Sequence, residues 1–338
     1  MKIWMLGGAS AVLAALVSTD RARLPESLAD TGLYVRGELG TIDPRNRAFT
    51  PQYPLWSDGL EKSRWIHLPP GTSIDASKAY DWQFPVGTKF WKEFRQSGRR
   101  IETRVLWKVS ETRWEFGAYA WNNAGTEAVL APEGVPGAAE LSATKRHAIP
   151  SRTDCSACHG STTTGPLGFN ALQLSPDRDP NAIHGEPLKA GDLTLATLID
   201  SRLLMHSRSE WKTTPPRIQT EDPSTRAVLG YLASNCGTCH NGNGEIAALA
   251  PVLRHEDLLR DADAVARSLM NQPTRWQLPG STEGTVLIRP GAADQSALFA
   301  RMRSRSPSSQ MPPLGTALRD EAAVDVVRQW ISSRPRID

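Results

Sequence analysis

Cys155-Ser-Ala-Cys158-His159 and Cys236-Gly-Thr-Cys239-His240 are two copies of one pattern, C-x-x-C-H. They use all four cysteines of the 338-residue chain, so none is left for a structural disulfide. The pattern is the attachment sequence of c-type haem. Two thiols one helical turn apart add to the two vinyl groups of the porphyrin, and the adjacent histidine reaches the iron from one face. Other uses fit less well. A zinc ribbon sets its paired motifs about 15–20 residues apart, whereas 77 residues separate Cys158 from Cys236. A thioredoxin-type dithiol needs no histidine after each pair, and no βαβ pattern surrounds these. The expectation is two covalently attached haems, one held by Cys155, Cys158 and His159 and one by Cys236, Cys239 and His240. His159 and His240 are the expected iron ligands.

Each motif is followed by a proline, Pro166 in GPLG and Pro251 in APVL. A proline carbonyl is expected to accept a hydrogen bond from each haem histidine, which fixes the ring and raises its basicity. Further on, MHSRSEWKTTPP at 205–216 aligns without a gap on MRSRSPSSQMPP at 302–313. The second copy supplies Met311, a thioether on a proline-stiffened loop just before the last helix. Met311 is therefore the expected sixth ligand of the second haem, and Met/His ligation raises its potential. Met302 and Met270 read as helix-face core residues. In the first copy Thr214 stands where Met311 does, and a threonine hydroxyl is a poor iron ligand. His184 is the tentative sixth ligand of the first haem; Met205, His206, His147 or no strong protein ligand remain open.

The region from Leu24 to Leu141 has no cysteine but seven of the eleven tryptophans. In RIETRVLWKV (100–109), Ile101, Thr103, Val105, Trp107 and Val109 alternate with mostly polar residues, the period of a half-buried strand. RWEFGAYAW (113–121) continues the pattern, with turn signals at Gln96-Ser97-Gly98 and Asn122–Gly125. Beyond APEGVPG (131–137) the periodicity becomes helical, in DLTLATLIDSRLL, DPSTRAVLGYLASN, DADAVARSLM, DQSALFARM and RDEAAVDVVRQWI, with Asp192, Asp222 and Asp320 near helix starts. The predicted fold is multidomain: an N-terminal antiparallel β-rich module over 24–141, followed by two tandem all-α cytochrome c domains over 142–233 and 234–338.

Met1 and Lys2 precede an apolar run, residues 3–17, of signal-peptide length and short for a membrane span. Residues 1–23 are therefore expected to direct export to the periplasm, as a cleaved signal or as a retained anchor. A formal charge of +3 is too mild to point to nucleic acid, and 39% hydrophobic residues argue against an integral membrane domain beyond that segment.

The chain resembles a family of exported bacterial dihaem c-type cytochromes with a tryptophan-rich N-terminal module. The resemblance rests on YPLWSDGLEKSRWIHLPPGT (53–72), FPVGT (84–88), ETR (102–104), YAWN (119–122), IPSRTDCSACH (149–159), LGFNALQLSPDRDP (167–180) and YLASNCGTCHNGNG (231–244). It implies export and two covalent haems, and no settled activity for the N-terminal module.

Three functions follow as expectations. The first is electron transfer between periplasmic redox partner proteins, with Arg301, Arg303 and Arg305 as a basic rim near the Met311 loop. The second is a haem enzyme of peroxidase or oxygenase type, with an open first iron and the second haem as relay. The third places recognition or chemistry in the N-terminal module, where Asp58, Glu61 and His67 fall in its densest motif.

Overall fold

The computed structural model describes residues 23–78, 80–159, 165–242, 249, 251–281 and 284–336. Apart from Arg23, the expected export segment lies outside these residues. Among the described residues no helix is long and apolar enough to cross a membrane.

The N-terminal half is built on β1 (Arg47–Ala48), β2 (Glu61–His67), β3 (Ile74–Asp75), β4 (Lys89–Gln96), β5 (Arg99–Lys108), β6 (Trp114–Trp121) and β7 (Ala128–Leu130). A six-stranded antiparallel sheet runs β1-β2-β4-β5-β6-β7, with β3 outside it. The alternating sequence sets the two faces. Trp91, Val105 and Tyr119 pack with Leu28, Leu33, Tyr34 and Trp121 on one side. Ile66 and Phe90 pack with Phe49, Phe84 and Phe169 on the other. Both faces are thus covered, and Glu102, on a strand face that reads as polar, is fully buried.

After a hairpin of β8 (Val135–Ser142) and β9 (Lys145–Ile149), the first cysteine motif forms α1 (Arg152–His159), which packs on β6. The chain then returns across the sheet. Phe169 meets Phe49 edge-on at 4.8 Å and Phe90 at 5.2 Å. The short α2 (Leu195–Asp200) follows, and β10 (Leu204–Met205) pairs in parallel with β3. The helical part comprises α3 (Pro223–Asn235), α4 (His255–Leu269), α5 (Ala297–Arg303) and α6 (Glu321–Ser332), whose apolar faces meet in one core around Val228, Leu232, Leu258, Phe299, Val327 and Trp330. Trp330 is 1% exposed and donates its indole N–H to Thr225 Oγ1 at 2.9 Å, which joins α6 to the start of α3.

The expectation of two tandem all-α cytochrome c domains is overturned. The described residues hold six short α-helices beside a large antiparallel sheet. The segment expected to form the first all-α domain does not build a core of its own. Its residues 169–211 share the core of the sheet, through Phe169, Leu174, Leu193, Leu198 and Trp211. Its last helix, α3, packs instead with α4 and α6. The aligned tails also differ in structure: Met205 lies on β10 and is exposed, whereas Met302 lies in α5 and is buried. Matching residues in the two tails thus serve a strand edge in one copy and a helix core in the other.

Candidate functional site

α1 carries the first motif against the sheet. Ser151 and Asp154 close its start: the Ser151 N–H and Oγ–H donate to Asp154 Oδ2 at 2.9 and 2.8 Å. Arg152 pairs with Glu115 on β6, which also receives Arg113. His159 Nδ1 lies 2.6 Å from the carbonyl oxygen of Gly165, and its ring stacks on Phe116 at 6.0 Å. The acceptor is therefore the residue before Pro166, rather than the proline of the expectation. Gly165 has φ +81°, and a Cβ there would come within 2.7 Å of the Trp114 ring, so glycine is what lets this carbonyl reach the histidine. Burial pushes the His159 pKa down to about 4, with Arg104 and Lys92 adding to the effect against the Gly165 hydrogen bond. The ring is neutral at pH 7. A neutral ring that donates Nδ1–H to a carbonyl presents Nε2 as the metal-binding nitrogen.

The second motif begins at the C-terminus of α3, where Cys236 N–H bonds the Leu232 carbonyl at 2.8 Å. The turn continues as His240 N–H bonds the Cys236 carbonyl at 2.8 Å. His240 Nδ1 is buried and makes no hydrogen bond of full geometry among the described residues, while the backbone carbonyls of Leu249 and Pro251 lie close enough to favour its protonated form. Cys236 and Met311 line one small open-sided cavity with Trp56, Tyr231, Leu298 and Met302. Met311 is fixed by its N–H to the Arg301 carbonyl at 3.0 Å.

The candidate sixth ligands of the first haem are placed as follows. His184 points to the other site: its Nε2 is 2.8 and 2.9 Å from the two carboxylate oxygens of Asp320, and its ring stacks on Trp56 at 4.9 Å. Asp320 and Trp56 line the Cys236–Met311 cavity. His206 pairs with Asp75 at the surface, and Met205 is 47% exposed on β10. His147 is held between Asp58 and Glu102. Thr214 is exposed, its N–H on the Glu210 carbonyl. Of the expected basic rim, Arg303 is exposed and pairs with Asp294, while Arg301 lies over Trp276 and Arg305 lines the cavity.

Two groups escaped the sequence reading. One is the His147–Asp58–Glu102 clamp. The other is a set of cations on the sheet, Lys62, Arg64, Lys92 and Arg104; the spacing of two between Lys62 and Arg64 was a local signal, but only the strand register brings Lys92 and Arg104 beside them. Cys158, His159, Lys92 and Arg104 are each partly accessible to water, and burial disfavours the charged form of each; at Arg104 alone it is outweighed, by the charge and hydrogen bonds of Glu102.

None of the four cysteines is in a disulfide. Burial pushes the Cys155 thiol up to about 11 and the Cys236 thiol up to about 12, the reverse of the depressed value that activates a redox dithiol. Among the described residues no three His, Cys, Asp or Glu side chains gather to hold a bare metal ion. A porphyrin brings four nitrogens of its own and asks the protein for one or two axial groups. Paired thiols, an oriented His159, a buried His240 beside the backbone of Leu249 and Pro251, and a cavity holding Cys236 with Met311 fit that group. The chain matches no family model, no curated protein and no solved structure.

Proposed function

We propose that the chain is an exported dihaem c-type cytochrome that carries electrons between periplasmic redox partners. Cys155, Cys158 and His159 would hold one haem, and Cys236, Cys239, His240 and Met311 the other. Haem iron supplies one-electron chemistry when bound. The observation that carries the reading is the proximity of the two motifs. The Cys158 thiol is raised first by burial and next by the charge of Cys239, so the second cysteines of the two motifs lie within each other's electrostatic field. Motifs 81 positions apart in sequence thus feel each other's charge, which supports electron exchange between two bound groups.

The protein's own part is positioning. Gly165 orients His159 and the Arg301 carbonyl fixes the Met311 backbone. The sheet, α1 and the α3–α6 core keep the two motifs in one body. The test is the mass and alkaline pyridine spectrum of protein purified from a periplasmic fraction of cells with c-type maturation. Two covalent haems are expected, with one lost in C155S/C158S and the other in C236S/C239S. An unmodified polypeptide mass would sink the reading.

A further inference from the structure

Four cations share one face of the large sheet. Strand register sets Arg64 opposite Lys92 and Lys92 opposite Arg104, with Ala118 of β6 next in line. Lys62 lies two residues before Arg64 and so on the same face. Phe116, two residues before Ala118, stacks against His159. The cation row and the first cysteine motif therefore occupy the same side of the sheet.

Like charges directly across a strand pair repel, and an enclosed charge is costly unless it is paired. Two of the four are answered: Arg64 meets Glu186 at 3.4 Å, and Arg104 meets Glu102 through Nη2 at 2.6 Å and Nε at 3.1 Å. Lys62 and Lys92 make no ion pair and no hydrogen bond among the described residues; the Lys92 ammonium lies 4.9 Å from the centre of the Phe94 ring. The other charged groups around them are committed. Asp192 accepts from Thr50 and the Lys189 N–H, Asp320 holds His184, and His147 binds Glu102. Burial pushes Lys62 down to about 8 and Lys92 well below its ordinary value. Lys62 and Lys92 thus lie on the sheet face that carries the first motif, with no ion-pair partner among the described residues.

We infer that Lys62 and Lys92 receive the two propionate carboxylates of a haem attached at Cys155 and Cys158, with Arg64 and Arg104, held by their glutamates, framing the site. This rests on the proposed haem attachment. The geometry answers two unpaired cations with two anions of one ligand.

The test uses the full haem-loaded protein and its K62Q, K92Q and K92R variants. Haem content is read from the alkaline pyridine spectrum, and the midpoint potential of each haem is followed from pH 5 to pH 8. Ammonium partners keep both propionates ionised throughout that range. In K92Q and K62Q a propionate should titrate within it, so the first haem's potential gains a step that falls as pH rises, absent from wild type and from K92R. Neither glutamine variant should lose the fold, since each removes an uncompensated charge; thermal melting checks this. Two haems with no added step in either glutamine variant overturn the inference alone. A wild-type potential that shifts with inorganic phosphate at fixed ionic strength also overturns it, since the site is then open to an external anion. A wild-type protein without haem overturns the proposed function as well.

Discussion

His147 Nδ1 lies 2.9 Å from Asp58 Oδ2, across 89 positions of sequence. On the far side of the ring, Nε2 is 3.0 Å from Glu102. A neutral imidazole donates from one nitrogen only, so two carboxylates at the two nitrogens call for the imidazolium. Asp58 also accepts the backbone N–H groups of Ala317 and Leu318 at 2.7 and 2.9 Å. The clamp thus ties β9, the sheet and the segment after Met311.

The pH dependence of stability follows from that clamp. Burial pushes the His147 pKa down, but the hydrogen bonds to Asp58 and Glu102 outweigh it and hold it above its ordinary value. A raised folded value means the contribution is fully present below the unfolded pKa of about 6.5 and is lost as pH rises through the folded value. The urea midpoint of wild type should therefore fall with rising pH above neutrality, by a component missing from H147Q. H147A, which leaves two buried carboxylates without their shared cation, should cost roughly 3–5 kcal/mol at pH 6. A pH profile of H147Q parallel to wild type would overturn the imidazolium assignment.

Asp320 has two jobs that separate by mutation. Its side chain caps α6 by accepting the Ala323 N–H at 3.1 Å, and it binds His184. H184A leaves the cap and removes the partly exposed pair, worth about 1 kcal/mol or less, together with the stacking on Trp56, worth roughly 0.5–1.5 kcal/mol. D320A loses the cap as well, a further ~1 kcal/mol. Urea unfolding of H184N, which keeps a planar polar side chain at the position, against D320A should show the larger loss in D320A, where the cap is lost as well. In a C236S/C239S background carrying only the first haem, H184A should leave the visible spectrum unchanged, because His184 faces the other cavity. A shift to a high-spin spectrum would show that His184 reaches the first iron after all.

Gly230 marks where the helical core meets the loop before β2. A Cβ at this position of α3 would come within 2.2 Å of the Tyr53 ring. Tyr53 cannot yield: it is 2% exposed, its hydroxyl bonds Asp179 at 3.1 Å and its backbone N–H bonds Gln173 at 2.9 Å. G230A gains helix propensity of about 1 kcal/mol but introduces overpacking of about 1–3 kcal/mol. Net destabilisation is expected, visible as a lower thermal midpoint. Y53A in the same chain should relieve the clash, so the double mutant should fall short of the sum of the two single losses.

What the sequence made legible was local. Alternation in RIETRVLWKV and WEFGAYAW marks β5 and β6, and Asp222 and Asp320 do cap α3 and α6. Asp192 does not cap α2; Thr194 does, while Asp192 holds Thr50. The failure was at longer range. Phe169, Leu174 and Trp211 carry no mark showing that their partners are Ile66 and Phe90, a hundred or so positions earlier. Likewise His184 and Asp320, 136 positions apart, meet only once α6 has packed. Repeated wording in the two tails reads as repeated domains, yet a short peptide motif does not fix the core it packs into.

Met311 gives the sharpest test of the second site. Its side chain lines the cavity with Cys236, Leu298 and Val324, so both sulfur and volume are available to be changed separately. M311L keeps the bulk and the apolar contact and removes the thioether. Volume-conserving swaps of this kind usually cost less than about 1.5 kcal/mol, so M311L should fold with a near wild-type thermal midpoint. Under the proposed ligation it should nevertheless lower the potential of the second haem, because the soft donor that favours reduced iron is gone. It should also render that iron able to bind carbon monoxide, read as a shifted absorption band in the reduced protein. M302L, at a buried position of α5 in the same cavity, should change neither potential nor carbon monoxide response. If both variants behave as wild type, Met311 is a core residue like Met302 and the second iron takes its sixth ligand elsewhere.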